Sequence, residues 1–283
     1  MSLRFFEGQD HAKFYAKYRP IPPTELIERL VNFLREKYEG PLSQAVDLGC
    51  GNGQCTFALA NTFSSVLGTD ISPSQISEAT ESSKTMNVTT VRFQVSPAEE
   101  IPVADKSTQL ITICEAAHWM DLPKVYQEAR RVLVKNGAFA IIGYHLPLYM
   151  PQKKDEAKFD TIKLAVDSAI DATREYWPKQ ALQVFHEYSD VVIPFSNFTR
   201  ERGFTFQRKA KISDVLGCIQ SYSPYQNFCK DKGENVGNEL LNNIANRILA
   251  TLNEGRENPM STEEFEEYEF TESVNYFVLM ARI

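Results

Sequence analysis

Three glycines at alternate positions, Gly49, Gly51 and Gly53, stand between an apolar run and an amphipathic one, in Val46-Asp47-Leu48-Gly49-Cys50-Gly51-Asn52-Gly53-Gln54-Cys55-Thr56. Glycine is needed where the backbone takes positive φ or where a ligand lies against it with no Cβ in the way. A strand, a glycine turn and a helix N-terminus together direct amide N–H groups into the crevice at the strand's carboxyl end. A tight turn that serves packing alone uses the same residues. The next apolar run, Ser65-Val66-Leu67-Gly68-Thr69-Asp70-Ile71-Ser72, ends in an acid. An acid at the second strand tip of a β-α-β unit accepts both hydroxyls of a ribose. Asp70 can also start the following helix, but Ser72 before Pro73 suffices as that cap, so both roles are compatible. The spacing G-x-G-x-G differs from the dinucleotide G-x-G-x-x-G, which disfavours an oxidoreductase on a similar sheet.

A second group of reactive residues follows the run Gln109–Cys114: Glu115-Ala116-Ala117-His118-Trp119-Met120-Asp121. Strand ends in a doubly wound sheet face the ligand crevice, which puts His118 there as a base or a hydrogen-bonding group. The alternative is an ordinary half-buried His–Trp pair. Tyr144-His145 leaves the next run at the same edge.

These residues need a scaffold. Strands are expected at 45–48, 65–70, 90–95, 109–114 and 138–143, alternating with helices after Gly53, over 74–84 and over 122–133. Asp121 caps the last of these, and Lys135-Asn136-Gly137 stops it. Ahead of the first strand, Thr24–Tyr38 reads as an amphipathic helix capped by Thr24, with Leu26, Leu30, Phe33, Leu34 and Tyr38 on one stripe. Residues 150 to 200 break the rhythm. Lys154–Trp177 reads as one long helix and Lys179–Tyr188 as a second, together a helical cap over the strand ends, with Val191–Phe195 extended. Phe204–Ile212 is expected as a strand, Ser213–Gln220 as a helix, Ser221–Tyr225 as a turn, and Glu234 to about Leu252 as a helix. The acidic run Glu263–Glu269 is a solvated approach to the last strand, Tyr276–Arg282.

The pattern predicts an α/β fold: a doubly wound, mostly parallel sheet with an antiparallel last strand and an inserted helical cap. One domain over 1–283 is expected, with an N-terminal arm and helix (1–40) and substrate-side insertions at 146–200 and 213–265.

The chain of 283 residues has an ordinary globular composition, 43% hydrophobic and 24% charged. No apolar run approaches a membrane span and the N-terminus lacks an apolar signal region, so a cytoplasmic protein without membrane association is expected. A net charge of −7 argues against a nucleic-acid partner. The one dense basic segment, Arg200 to Lys211, alternates with Phe204 and Phe206 as a solvated strand face does. The cysteines (50, 55, 114, 218 and 229) lack C-x-x-C spacing and the histidines are scattered, so reduced thiols and no metal are expected. Oligomeric state is not legible.

Asp47-x-Gly49-x-Gly51-x-Gly53 with Asp70 resembles the class I S-adenosylmethionine-dependent methyltransferases, and more narrowly the small-molecule branch that includes trans-aconitate methyltransferase. The resemblance is strong over 1–145 and faint over 146–265. It implies a seven-stranded Rossmann-like sheet and S-adenosyl-L-methionine as cofactor. It further implies a small-molecule acceptor, a carboxylate or other oxygen. N-methylation of a small amine and a non-catalytic cofactor-binding module are the alternatives. The cofactor side would comprise Asp47, Gly49, Cys50, Gly51, Gly53, Asp70, Ile71 and Glu115.

In relatives, a Tyr-x-x-Tyr-Arg-Pro segment folds over the cofactor as a lid. Here it would bring Tyr18 or Arg19 to the methionine carboxylate or an acidic substrate; an arm packed on the domain is the plainer reading. Ser96-Pro97-Ala98-Glu99 stands where relatives often carry acid-Ala-Glu at the adenine. Ser96 departs from that pattern, its hydroxyl taking over the hydrogen bond or merely forming a turn. Gln109 replaces a usual Asp. The Ala-x-His-Trp match makes His118 the catalytic candidate beside the acceptor, next to Trp119; the region of Tyr222 and Tyr225 contributes to the acceptor pocket in that family, and Arg19 from the lid with Tyr144 and His145 from the strand end would complete the substrate side. An ionised carboxylate needs no base, whereas a hydroxyl or amine would call on His118 or His145.

Overall fold

The computed structural model describes residues 18–283, so the arm ahead of Tyr18 lies outside the described residues. Five short apolar runs form a parallel core: β1 (Gln44–Leu48), β2 (Ser65–Asp70), β3 (Val91–Val95), β4 (Thr108–Cys114) and β5 (Leu133–Tyr144). They lie in the order β3-β2-β1-β4-β5, all parallel. Three more strands complete an 8-stranded sheet: β6 (Leu148–Met150), β7 (Ser196–Ala210) and β8 (Phe270–Arg282). β8 runs antiparallel to β5 along one edge and to β7 along the other, with β6 beside its first residues. The expected antiparallel last strand is there, in a sheet one strand larger than expected.

The parallel strands read as continuous apolar runs because both faces are covered. Helices α1 (Thr24–Arg35) and α2 (Gln54–Leu59) cover one face, over Ala45, Val66, Leu110 and Ala140. Val46, Leu48, Ile111 and Ile113 face the other way, under α4 (Leu122–Val132). The helix α3 (Pro73–Thr85) follows β2. The Ser72 and Asp121 side chains accept from the backbone N–H groups of Gln75 and Lys124 and cap α3 and α4 as the sequence indicates. Thr24 does not cap α1. Pro23 holds that position without a side-chain bond, Thr24 is the first helical residue, and α1 stops at Arg35, short of Tyr38.

Beyond β6 the expected long helices are broken. A 3₁₀ segment, Lys153–Lys158, leads into α5 (Phe159–Ala172), then come 3₁₀ turns at Arg174–Tyr176 and Lys179–Ala181 and a four-residue α6 (Leu182–Phe185). Side-chain bonds explain the first break. Buried Asp155 holds Lys158, Arg256 and the Tyr268 hydroxyl, which ties the 3₁₀ segment to distant parts of the chain. Residues 191–195 form no strand.

The chain then forms α7 (Ile212–Gln220), α8 (Ser223–Lys232), α9 (Glu234–Asn253) and α10 (Thr262–Glu266). α8 replaces the expected turn, because a proline in the first helical turn starts a helix as readily as it closes a loop. The acidic run is partly helical, capped by the reciprocal bonds of Ser261 and Glu264. α5, α7, α8 and α9 pack around a third apolar cluster that includes Tyr18, Ile162, Ile212, Tyr222, Ile244 and Phe270.

Candidate functional site

The glycine turn is built as its residue types require. Gly49, Gly51 and Gly53 have φ of 66°, 54° and 97°, in the left-handed region that β-carbon sterics disfavour. A Cβ at Gly49 would lie 2.6 Å from that of Ala116, so the glycine also lets the turn approach the tip of β4. Cys50 N–H donates to Thr69 O (2.9 Å) and Gly53 N–H to Cys50 O (2.9 Å), which pins the loop across β1 and β2.

Asp70 joins the two strand tips. Its Oδ2 accepts from Gly51 N–H and its Oδ1 from Ser72 N–H, each at 2.9 Å. A carboxylate has about four lone-pair sites, so each oxygen can still accept from a hydroxyl. Burial raises the Asp70 pKa, which those backbone donors oppose. Beside it stand two exposed apolar side chains, Ile71 (51%) and Val95 (48%), the latter the register partner of Asp70 on β3. A carboxylate flanked by an apolar shelf suits a nucleoside, with the sugar on the acid and the base on the shelf.

Asp47 lies beneath the turn. Thr56 and Thr112 hydroxyls donate to its two oxygens at 2.7 Å each, and complete burial pushes its pKa up to about 6. It braces α2 and β4 against β1. Cys50 is buried and its thiol is pushed up by burial. The Ser96 hydroxyl donates to Glu100 O (2.8 Å) and its N–H to Asp70 O (3.1 Å), docking the 96–100 turn on β2. Ala98 is part of the core, and Glu99 accepts from Asp121 N–H (2.8 Å) at the start of α4.

Glu115, at φ 56°, turns its carboxylate back to accept from Tyr144 N–H (2.7 Å); burial raises it to about 7, with Arg19 opposing. Nδ1 of His118 is 2.8 Å from the Tyr188 hydroxyl, Trp119 packs 4.8 Å from the imidazole, and burial lowers the His118 pKa to about 4. Arg19 donates to the Tyr144 hydroxyl (3.2 Å) and to Ser221 O (3.3 Å), with its guanidinium 4.7 Å over the Tyr222 ring. Arg19, Tyr144 and Tyr222, distant in sequence, thus meet.

Other residues expected around the substrate sit differently. His145 Nε2 is 3.0 Å from Glu187, which also pairs with Arg202. The Tyr225 hydroxyl rests against Gly237 in the seam of α8 and α9. Tyr18 packs its ring on Gly217, and its carbonyl accepts from Arg208. A concavity of about 740 Å³ between α1, the end of α2 and β7 contains none of these groups.

Tyr188 is the functional candidate that sequence reasoning missed, since it looked like the last residue of a helix. It follows Glu187 in a turn where both have positive φ, 52° and 51°. Arg200 donates to the carbonyls of Glu187 (3.0 Å), Tyr188 (2.9 Å), Ser189 (3.1 Å) and Val191, clamping that turn. The other members of the basic segment are also engaged: Arg202 with Glu187, Arg208 with buried Glu272, Lys209 with Glu269 and Lys211 with Glu267.

A doubly wound sheet with this turn and this acid defines a class of nucleoside-cofactor proteins. Residues 41–188 match the methyltransferase domain family. A Dictyostelium discoideum protein that carries a methyltransferase name is 32% identical over 240 residues, 85% of each chain. A malonyl-[acyl-carrier protein] O-methyltransferase of Hahella chejuensis is 34% identical over 116 residues, 40% of this chain and 39% of that one. A solved structure described as a type II methyltransferase from Anaeromyxobacter dehalogenans shares the fold: its TM-score is 0.71 at 22% identity, covering 94% of this chain and 98% of that one. The chain belongs to the methyltransferase domain family and is an S-adenosylmethionine-dependent methyltransferase.

Proposed function

We propose that the chain methylates an oxygen of a small molecule, with a carboxylate as the acceptor. The observation that carries this reading is Arg19, a fixed positive charge set between the Tyr144 hydroxyl and the Tyr222 ring near Glu115. A guanidinium matches a carboxylate in charge and in its paired donors. The O-methyltransferase name of the Hahella relative agrees with an oxygen acceptor.

The cofactor supplies a methyl group on a cationic sulfur, and the protein supplies position and surroundings. Asp70 would take the ribose hydroxyls, Ile71 and Val95 the adenine face, and the turn at Gly49–Gly53 the amino-acid end. Ser96 would add a hydroxyl near the base, while Asp47, Cys50, Ala98 and Glu99 hold the loops in place. Arg19, Tyr144, Tyr222 and Trp119 would orient the acceptor, and such alignment can supply about 7–11 kcal/mol of the barrier. His118, with a pKa of about 4, is a weak base, which fits an acceptor that is already ionised.

A second reading, N-methylation of a small amine, is favoured by Glu115 alone, whose carboxyl at about 7 is suited to take a proton. The five cysteines are free thiols, and among the described residues no helix is long and apolar enough to cross a membrane.

Incubating the protein with methyl-labelled cofactor and a panel of acids, phenols and amines tests the reading. Transfer to an acid, with label released by mild alkali as from an ester, is expected. Alkali-stable label confined to amines would replace it with the second reading.

A further inference from the structure

Tyr188 is buried, 1% exposed, and the hydrogen-bond partner of its hydroxyl among the described residues is Nδ1 of His118 at 2.8 Å. Burial keeps the phenol protonated. Its O–H therefore needs an acceptor, and a buried hydroxyl proton left without one is strongly disfavoured. Nδ1 is that acceptor. An imidazole that accepts at Nδ1 carries its proton on Nε2. Nε2 has no hydrogen-bond partner among the described residues.

We propose that Tyr188 fixes His118 as the Nε2–H tautomer, so that the imidazole meets the acceptor as a hydrogen-bond donor and thereby selects acceptor oxygens that are already anionic. This deepens the oxygen-acceptor reading and rests on it for the identity of the group met by Nε2. Tyr188 is the positioning residue. Its own placement comes from the turn of positive-φ residues that Arg200 clamps through four carbonyls. A strained turn persists where its surroundings over-determine it, and here they deliver one hydroxyl to one ring nitrogen. The imidazole is also of low basicity, so it remains neutral while donating at ordinary pH. An amine or phenol that had to lose a proton would find no base at Nε2.

Two measurements decide the matter. Long-range proton–nitrogen correlation spectra of the labelled, intact protein report the His118 tautomer whether or not any acceptor has been found. The pattern of a neutral ring protonated at Nε2 is expected, reverting to a mixture of tautomers in Tyr188→Phe. A ring protonated at Nδ1 in the wild type would overturn the proposal. The second measurement compares His118→Gln with His118→Ala on an acid that the wild type methylates. Glutamine restores a donor but not a base. His118→Ala is expected to lose about 10- to 100-fold in turnover, the worth of a hydrogen bond to a charged group. His118→Gln should recover a large part of it, with cofactor affinity equal in both. Equal loss in the two variants would mean that a base is required and would refute the donor role. If no acid is methylated at all, the oxygen-acceptor reading fails while the tautomer spectrum still judges the Tyr188–His118 assignment.

Discussion

The two halves of the proposed site at the strand tips are made in different ways. Over β1, β2 and β3 the site is mostly backbone: a turn of positive-φ glycines and one acid whose two oxygens collect N–H groups from both tips. Over β4, β5 and the helical layer it is mostly side chains, with Arg19, Glu115, His118, Tyr144, Tyr188 and Tyr222 converging from separate elements. A backbone-built site demands particular residue types at particular spacings and leaves a mark in the sequence. A side-chain-built site leaves almost none, because its members are far apart and each has an ordinary packing use as well.

That contrast can be broken or sharpened by substitution, most strongly beneath the first half. Asp47→Ala would leave the buried Thr56 and Thr112 hydroxyls without acceptors, so a loss of about 2–5 kcal/mol of stability is expected, read by denaturant titration. Asp47→Asn, which can still pair with both, should lose much less. In the second half, Arg19→Met should raise the acceptor KM by about 10- to 50-fold, the worth of one charge-assisted contact, and leave cofactor affinity unchanged. Steady-state kinetics with each substrate varied in turn separates the two.

The smallest effect concerns pH. Glu115 is raised to about 7 from its ordinary 4.5, so its contribution to stability is full below about pH 4.5 and lost as pH rises through 7. Asp47, raised to about 6 from 3.8, acts in the same direction over a lower window. His118, lowered to about 4 from 6.5, contributes above pH 6.5 and loses that as pH falls through 4. Glu115→Gln should therefore flatten the decline in folding free energy between pH 5 and pH 8, read by denaturant titration at each pH, by no more than about 2 kcal/mol once solvent screening is counted. An unchanged slope would show that the carboxyl is ionised without penalty.

What was legible follows the same division. The first four core strands, the positive-φ glycines, the acid at position 70 and the caps Ser72 and Asp121 were readable, because each is a local demand of backbone geometry, whereas β5 begins at Leu133 and runs through the Lys135-Asn136-Gly137 expected to stop the helix before it. The first half of β8 was not, since Glu272 is fully buried there, where its ion-pair partner among the described residues is Arg208 on β7. The breaks in the 154–188 helices depend on the long-range bonds of Asp155, and α8 begins with a Ser-Pro that a turn would use equally well. His145, chosen for its place at a strand end, and Tyr225, chosen on the family resemblance, go to an ion-pair network and a helix seam. Tyr188 carried no sequence signal, because its importance lies in a phenol proton and the ring nitrogen that takes it.

Calorimetric titration of S-adenosylhomocysteine, the demethylated cofactor, into wild type, Asp70→Ala and Arg19→Met tests the division between the halves most directly. Tight binding is expected for the wild type and Arg19→Met alike, and a loss upward of about 100-fold for Asp70→Ala, from two hydroxyl bonds to a charged acceptor. Equal affinity in wild type and Asp70→Ala, or a loss confined to Arg19→Met, would contradict that division.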